Sequence, residues 1–313
     1  MFKKILIGLV VLIALAAIIP FLLPEPNLGG RIPEQPFTDS RFTEIEGVRV
    51  HWRERGSQDS ERLVVLLHGF GGSAFSWRHS LDALEQAGYH VIAPDLPPFG
   101  YSERTARGPE WASLMRRLAE QVAPGARWTL VGHSMGVGVA ADMASAEPDR
   151  IDRLIMVDGT PALRRESGPM AWLITLPPVG LAAEYWASKK LVDESSINEL
   201  LESALGRAPT AEELAGYHYP LTIPGTYSAL LRRMAERQPE TEGWEQLPID
   251  VIWGERDEWL PRRLADRLVQ RLPGRIEPVY IEGAGHNPMD THPEELNELL
   301  LERIQPTPAP GGL

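Results

Sequence analysis

The chain has 313 residues, enough for one large or two small domains, and its 43% hydrophobic and 24% charged residues are usual for a globular protein. It contains no cysteine, which excludes disulfides and thiolate metal sites. The formal net charge of −12 argues against a nucleic-acid partner, because an acidic surface repels phosphate backbones.

The N-terminus carries an apolar run of 19 residues without a charge, residues 5–23, preceded by Lys3 and Lys4. As a helix this run would be about 28 Å long, close to the roughly 30 Å hydrocarbon core of a bilayer. It predicts a transmembrane anchor over residues 1–24, with the lysines on the cytoplasmic side and the rest of the chain on the periplasmic or extracellular side. The alternative is a cleaved signal peptide, with residues 14–16 (ALA) as the cleavage site.

The order of strands and helices predicts an α/β fold. Alternating apolar residues around Glu46 and Gly47 predict a β-hairpin, and buried strands then alternate with helices from residue 63 to 158, which indicates a parallel sheet covered on both faces. Residues 160–247 have helical segments and many aromatic residues but no clear buried strand, which predicts a helical cap over the sheet. The predicted organisation is an anchor (1–24), a linker (25–40), a core in two parts (41–159 and 248–305), a helical cap (160–247) and a flexible tail (306–313).

Residues 128–143, WTLVGHSMGVGVAADM, predict a short strand, a very tight turn and a helix. A serine at the tip of such a turn, Ser134, is held in strained backbone, which requires neighbours almost without side chains at Gly132 and Gly136. This pattern is typical of a nucleophile elbow. The start of the helix behind it offers the Met135 N–H to a developing oxyanion.

A second group of glycines follows the apolar strand 63–67, in residues 68–73 (HGFGGS). Three glycines in six residues let the backbone approach a bound group, which predicts a second oxyanion donor at the Phe70 N–H. His68 is expected to brace this loop. The alternative interpretation is a flexible connection without a ligand.

Ser134, Asp257 and His286 follow three predicted strands, and the carboxyl ends of parallel strands form one rim of a sheet. A serine becomes a strong nucleophile when an imidazole accepts its proton, and a carboxylate fixes the tautomer of that imidazole. These residues therefore predict a catalytic triad. Asp158 also ends a strand and is the alternative acid.

The remaining histidines have no metal-ligand spacing, so we expect neither a metal site nor a cofactor. His133 is expected to pack or to bind backbone beside the nucleophile. Solvated or capping roles are expected for the other five: His51, His79, His90, His218 and His292.

The motifs HGFGGS, PDLPPFGYS, GHSMG, GERD and GAGHNP occur in the order and spacing of the α/β-hydrolase superfamily, which the chain resembles from Arg41 to Ile304. It is also similar to membrane-anchored, monoacylglycerol-lipase-like members. The resemblance implies an eight-stranded, mostly parallel sheet with a cap, and a structural role for Asp95. Some members carry the acid at the position of Asp158. Where many relatives have glycine, this chain has Val137, which predicts looser packing of the helix after Ser134.

The predicted function is hydrolysis of carboxylic esters, of lipids or other apolar acyl groups, by an anchored serine esterase or lipase. The same triad also suits hydrolysis of carbon–carbon bonds or thioesters, or perhydrolysis without a cofactor. Epoxide hydrolases and haloalkane dehalogenases are disfavoured, because they would have aspartate at position 134. A membrane-anchored binding protein without catalysis is a further alternative, and the oligomeric state is left open.

Overall fold

The computed structural model describes residues 18–22, 28–105, 110–161, 173, 176–235, 242–274 and 276–304. Most of the predicted anchor and all of the predicted tail lie outside these residues. Of the anchor, the described part is a short 3-10 helix at Ile19–Leu22. In the described ranges, no helix combines the length and the apolar character that crossing a membrane requires.

The core is one eight-stranded sheet, as predicted, with the spatial order β1-β2-β4-β3-β5-β6-β7-β8. The first two strands are antiparallel to each other, β2 is antiparallel to β4, and all other pairs are parallel. The strands are Ser40–Ile45 (β1), Val48–Arg55 (β2), Arg62–Leu67 (β3), His90–Pro94 (β4), Arg127–His133 (β5), Ile151–Val157 (β6), Ile249–Gly254 (β7) and Val279–Ile281 (β8).

The predicted hairpin is confirmed as β1 and β2. Its two-residue turn consists of Glu46 and Gly47, which have φ angles of 51° and 77°. Two successive positive φ angles match the turn type whose twist fits antiparallel strands.

The α-helices in the described part of the chain are Arg78–Gln86 (α1), Trp111–Val122 (α2), Met135–Ala146 (α3), Pro177–Val192 (α4), Glu194–Leu205 (α5), Ala211–Leu221 (α6), Thr226–Ala235 (α7), Arg263–Val269 (α8), Pro288–Thr291 (α9) and Pro293–Ile304 (α10). Helices α2, α3 and α8 cover one face of the sheet, and α1 and α10 cover the other. The alternation of side chains along β3 explains how both layers form: Leu63, Val65 and Leu67 face the first layer, and Val64 and Leu66 the second.

Helices α4 to α7 form the cap, and no strand is described between residues 160 and 247. Cap residues of α5 to α7 and Phe75 of the core share a separate apolar cluster. Thr210 caps α6 by accepting a hydrogen bond from the Glu213 N–H, while the Glu213 carboxylate accepts one from the Thr210 N–H.

Two expectations need correction. The looser packing expected around Val137 is absent, because Val137 is completely buried. Its Cγ2 fills the space beside Gly159 so closely that a Cβ atom on Gly159 would lie 2.6 Å from it. His51 and His90 are not solvated: both are buried, with partners in Asp95 and Glu54. A buried imidazole needs such polar partners, and the partners lie far away in the sequence.

Candidate active site

Ser134 lies at the tip of the turn between β5 and α3. Its backbone angles, φ 51° and ψ −116°, are strained for a residue with a side chain. Its N–H donates to the Val157 carbonyl at 3.0 Å, which fixes the turn to the neighbouring strand. A Cβ atom on Gly132 would lie 2.6 Å from Val137 Cα, and one on Gly136 would clash with the Leu67 carbonyl oxygen. Both positions therefore need glycine.

The structure brings Ser134, His286 and Asp257 together from the ends of three strands. His286 Nε2 lies 3.1 Å from Ser134 Oγ, and His286 Nδ1 lies 2.8 Å from Asp257 Oδ2. The second oxygen of Asp257, Oδ1, accepts hydrogen bonds of 2.9 Å from the N–H groups of Trp259 and Leu260. With the carboxylate fixed in this way, a proton can pass from the hydroxyl to the imidazole without rearrangement of the site.

The backbone of His286 is held on both sides. Its N–H donates to the carbonyl of Ala204, the penultimate residue of cap helix α5, at 2.8 Å. Its carbonyl accepts a hydrogen bond of 2.8 Å from His133 Nε2. Burial and the neighbouring His286 lower the pKa of His133 well below its ordinary value, which keeps this imidazole neutral. His133 thus binds backbone, as expected.

The loop predicted to hold an oxyanion lies against the nucleophile. A Cβ atom on Gly69 would come within 3.1 Å of Ser134 Cβ, so the loop can lie this close only because residue 69 is glycine. Among the described residues, neither the Phe70 N–H nor the Met135 N–H donates a hydrogen bond. Both donors are therefore available to a bound oxygen atom.

Two buried groups brace this loop. His68 donates from Nδ1 to the Gly69 carbonyl at 2.7 Å and accepts from the Leu96 N–H at Nε2, while burial lowers its pKa. Asp95 accepts from the Ala74 N–H and lies 2.7 Å from His51 Nδ1. Asp95 therefore joins the loop to strand β2, which is a structural role.

A cavity of about 170 Å³ opens at Ser134 between the core and the cap. Its wall is apolar apart from Ser134, His286, Asn287 and the hydroxyl of Tyr217. Cap helices α5 to α7 supply much of this wall. The apolar side chains around it are Phe70, Phe99, Ile197, Leu200, Leu201, Leu221, Leu230 and Trp259.

Asp257, and not its rival Asp158, hydrogen-bonds His286. Asp158 is nevertheless close: one ligand atom from each of Asp158, Asp257 and His286 lies within 4.8 Å of the others. These three residues are the one group of described residues close enough to hold a metal ion. Both imidazole nitrogens of His286 already have partners in Ser134 and Asp257, so the group lacks a free nitrogen ligand.

Sequence reasoning missed two features of the site. The indole of Trp259 stacks on the His286 ring, with 5.1 Å between centroids and an angle of 26°, and donates to Ser203 of the cap at 3.0 Å. Asp290 accepts hydrogen bonds of 2.5 Å from both Tyr217 of the cap and Arg78 of the core. The sequence signals that could have indicated these features are the position of Trp259, two residues after Asp257, and the position of Asp290, four residues after His286.

Comparisons with known proteins identify the family and the fold of this chain. A model of the alpha/beta hydrolase family matches residues 64–299. "Uncharacterized hydrolase YugF" of Bacillus subtilis (strain 168) is 30% identical over 274 residues, which cover 84% of this chain and 95% of the relative.

Solved structures show the same fold at lower identity. "Epoxide hydrolase CorEH without ligand" has a TM-score of 0.66 and 22% identity, and covers 85% of this chain and 98% of its own. A structure described as "a membrane phospholipase A, a novel bacterial virulence factor" has a TM-score of 0.64 and 23% identity, and covers 96% and 98%.

Proposed function

The chain belongs to the alpha/beta hydrolase family, and we propose that it is a serine hydrolase that cleaves carboxylic esters through an acyl-enzyme. The observation that carries this proposal is the line of hydrogen-bonding contacts from Ser134 Oγ through His286 to Asp257 at the end of an apolar cavity. Family membership supports hydrolysis in general. The serine at position 134 supports acyl transfer over the opening of an epoxide, which in this fold would use a carboxylate there.

Each group has one task in the proposed reaction. Ser134 Oγ attacks the ester carbonyl while His286 takes the hydroxyl proton, and Asp257 stabilises the imidazolium that forms. The N–H groups of Phe70 and Met135 hold the oxyanion of the tetrahedral intermediate. His286 then gives its proton to the departing alcohol, and a water molecule activated by His286 releases the acid from Ser134.

The apolar wall of the cavity supports esters of apolar acyl groups, including lipids, as substrates. Each methylene that moves from water into such a wall contributes up to about 0.8 kcal/mol, which corresponds to roughly fourfold in kcat/KM. We therefore expect kcat/KM to rise from an acetyl ester to longer acyl chains until the cavity is full.

Hydrolysis of aryl esters of increasing acyl length, by the full chain in detergent, tests this function. We expect turnover that Ser134→Ala abolishes and Ser145→Ala retains, because Ser145 bonds only the Ala141 carbonyl on the same helix. Labelling of Ser134 by a fluorophosphonate without ester turnover would favour carbon–carbon, thioester or perhydrolysis chemistry. Neither labelling nor turnover would overturn the proposal and favour a binding protein without catalysis.

We also propose that the N-terminal residues 1–24 attach the protein to a membrane, with the catalytic domain on the non-cytoplasmic side. The charge-free run of residues 5–23 supports this. The 3-10 helix at its end packs against cap helix α4, and both expose apolar side chains to solvent. These side chains are Ile18, Ile19, Leu22, Val179, Leu181 and Trp186.

The attachment is tested by fractionating cells that express the full chain and by adding protease to intact spheroplasts. The protein should sediment with membranes, resist extraction by high salt, and lose its catalytic domain to the protease. Recovery in the soluble fraction, or protection from protease, would contradict the proposed location.

A further inference from the structure

The second carboxyl group of the site, that of Asp158, has no role in the mechanism above. It follows β6 directly, with a positive φ of 44°, and it is completely buried. Its Oδ1 accepts a hydrogen bond of 2.7 Å from the Gly254 N–H. Its Oδ2 is buried and has no hydrogen-bond donor in the described parts of the chain.

A carboxylate oxygen of Asp158 lies within 4.8 Å of one of Asp257, and two buried carboxylates this close disfavour each other's ionised form. The negative charge belongs on Asp257, because that group faces His286 and accepts two backbone hydrogen bonds, whereas Asp158 accepts one. Burial and the neighbouring Asp257 raise the pKa of Asp158 well above its ordinary value. A proton on Oδ2 makes this unpartnered oxygen a hydrogen-bond donor, and the nearby Asp257 carboxylate can accept from it.

We propose that Asp158 is a protonated positioning residue that donates a hydrogen bond to Asp257 and can replace it as the acid partner of His286. This inference rests on the proposed serine hydrolase function. The hydrogen bond holds the Asp257 carboxylate at the imidazole. The proposed replacement of Asp257 by Asp158 follows from distance, because one carboxylate oxygen of each aspartate and one imidazole nitrogen of His286 lie within 4.8 Å of one another.

Removal of Asp257 takes away one of the two causes that raise the pKa of Asp158, and the imidazolium that forms on His286 opposes the other cause, burial. Asp158 then releases its proton to solvent, and its carboxylate is the acidic group left beside the imidazolium of His286. If Asp158 had only a structural role, a neutral residue of the same shape could replace it. The substitution Asp158→Asn would then have the same effect on kcat whether Asp257 is present or absent.

The test compares Asp257→Ala with the double variant Asp257→Ala/Asp158→Asn in the full chain. Asparagine keeps the shape, the acceptor for the Gly254 N–H and the tolerance for positive φ, but it cannot ionise. We expect kcat to fall about 10²-fold in the single variant and about 10⁴-fold in the double variant, with similar KM. The single variant Asp158→Asn should lose about threefold in kcat, because an amide is a weaker donor to Asp257 than a carboxylic acid.

Thermal unfolding of each variant checks that it is folded. Equal kcat in Asp257→Ala and in the double variant, both folded, would overturn the inference while leaving the proposed function intact. A fall in kcat of more than about 10²-fold in folded Asp158→Asn would overturn the inference as well. It would show that the site needs an ionised carboxylate at position 158 rather than a neutral, protonated one. If the native protein cleaves no ester, the rate at which a fluorophosphonate labels Ser134 replaces kcat. If it is not labelled either, the proposed function fails and this inference fails with it.

Discussion

At the scale of single residues, the candidate site contains groups that hold His286 in addition to the proposed triad. Three contacts converge on this histidine: the Ala204 carbonyl, the His133 imidazole and the Trp259 indole. Trp259 is also bonded twice to other parts of the site, through its N–H to Asp257 and through its indole N–H to Ser203. Trp259 thus links the acid, the histidine and the cap.

Substitution of Trp259 separates these roles. Aromatic stacking is worth roughly 0.5–1.5 kcal/mol, so Trp259→Ala should lower kcat by up to about tenfold. Trp259→Phe keeps the stacked ring and loses only the bond to the cap, so its kcat should match that of Ser203→Ala. The measurement is steady-state kinetics of the three variants. Equal losses in Trp259→Phe and Trp259→Ala would show that stacking on His286 is unimportant.

The sequence predicted that Ser134, Asp257 and His286 lie together, but it did not predict all of the residues that support them. Ser134, Asp257 and His286 belong to local motifs whose residue types reflect their chemistry, so the prediction could be made at those positions. The contact between Asp158 and Asp257 could not be predicted in this way, because it arises when β6 and β7 pair as neighbours, with Val157 opposite Ile252. The same reason explains why the burial of His51 and His90 was missed.

At the scale of elements, the tight turn between β5 and α3 brings the start of α3 directly against the end of β3. The closest approach is at Gly136, where a Cβ atom would clash with the Leu67 carbonyl oxygen and lie 2.7 Å from that of His68. Both obstacles are backbone atoms where β3 joins the loop of residues 68–73, so they cannot move independently of that loop.

Gly136→Ala is therefore expected to destabilise the protein by roughly 1–3 kcal/mol, the usual cost of overpacking, and to lower kcat by displacing the Met135 N–H. The matched control is Gly29→Ala, because a Cβ atom there meets nothing within 4 Å. Thermal unfolding and ester turnover measure both effects. A Gly136→Ala variant with the melting temperature and kcat of the control would contradict this account of the turn.

We expect the stability of the start of cap helix α6 to depend on pH. The hydrogen bond from Arg207 lowers the pKa of Glu213 from its ordinary 4.5 to about 2, against the opposing effect of burial. A carboxylate with a lowered pKa stabilises the folded state above pH 4.5, and this contribution is lost as the pH falls toward 2.

Glu213→Gln should lower the melting temperature at neutral pH by a few degrees, since a partly exposed ion pair contributes at most about 1 kcal/mol. The difference from the native protein should shrink as the pH is lowered through about 4 toward 2. Glu199→Gln, at an exposed position on α5, is the control and should show no such trend. A Glu213→Gln deficit that stays constant with pH would contradict the assignment of the lowered pKa.

At the scale of the whole molecule, the cap and the core meet at the candidate active site. The His286 N–H donates to the Ala204 carbonyl of the cap. The Asp290 carboxylate accepts hydrogen bonds from Tyr217 of the cap and Arg78 of the core. Arg104 of the core donates to Pro220 and Thr226 of the cap. The cap therefore contributes to holding the histidine as well as lining the cavity.

The overall architecture could be predicted because the buried parallel strands contain short apolar runs and several of them end in glycine-containing turns. This pattern predicted strands β3 to β7 and the helices that alternate with them along the chain. The cap could be predicted only as helical, because its apolar residues pack against each other and against Phe75 of the core, a pairing that has no local signature. The proposed membrane attachment rests on residues 1–24, most of which lie outside the described ranges.

The central claim is that Ser134 carries the acyl group during turnover, and mass spectrometry of the trapped intermediate tests it most directly. The full chain is mixed with an aryl ester, quenched in acid within the first turnovers, and digested for peptide mapping. We expect the mass of the acyl group on Ser134 in the native protein, and no adduct and no turnover in Ser134→Ala. Turnover that persists in Ser134→Ala, or an acyl group on a different residue, would contradict the account.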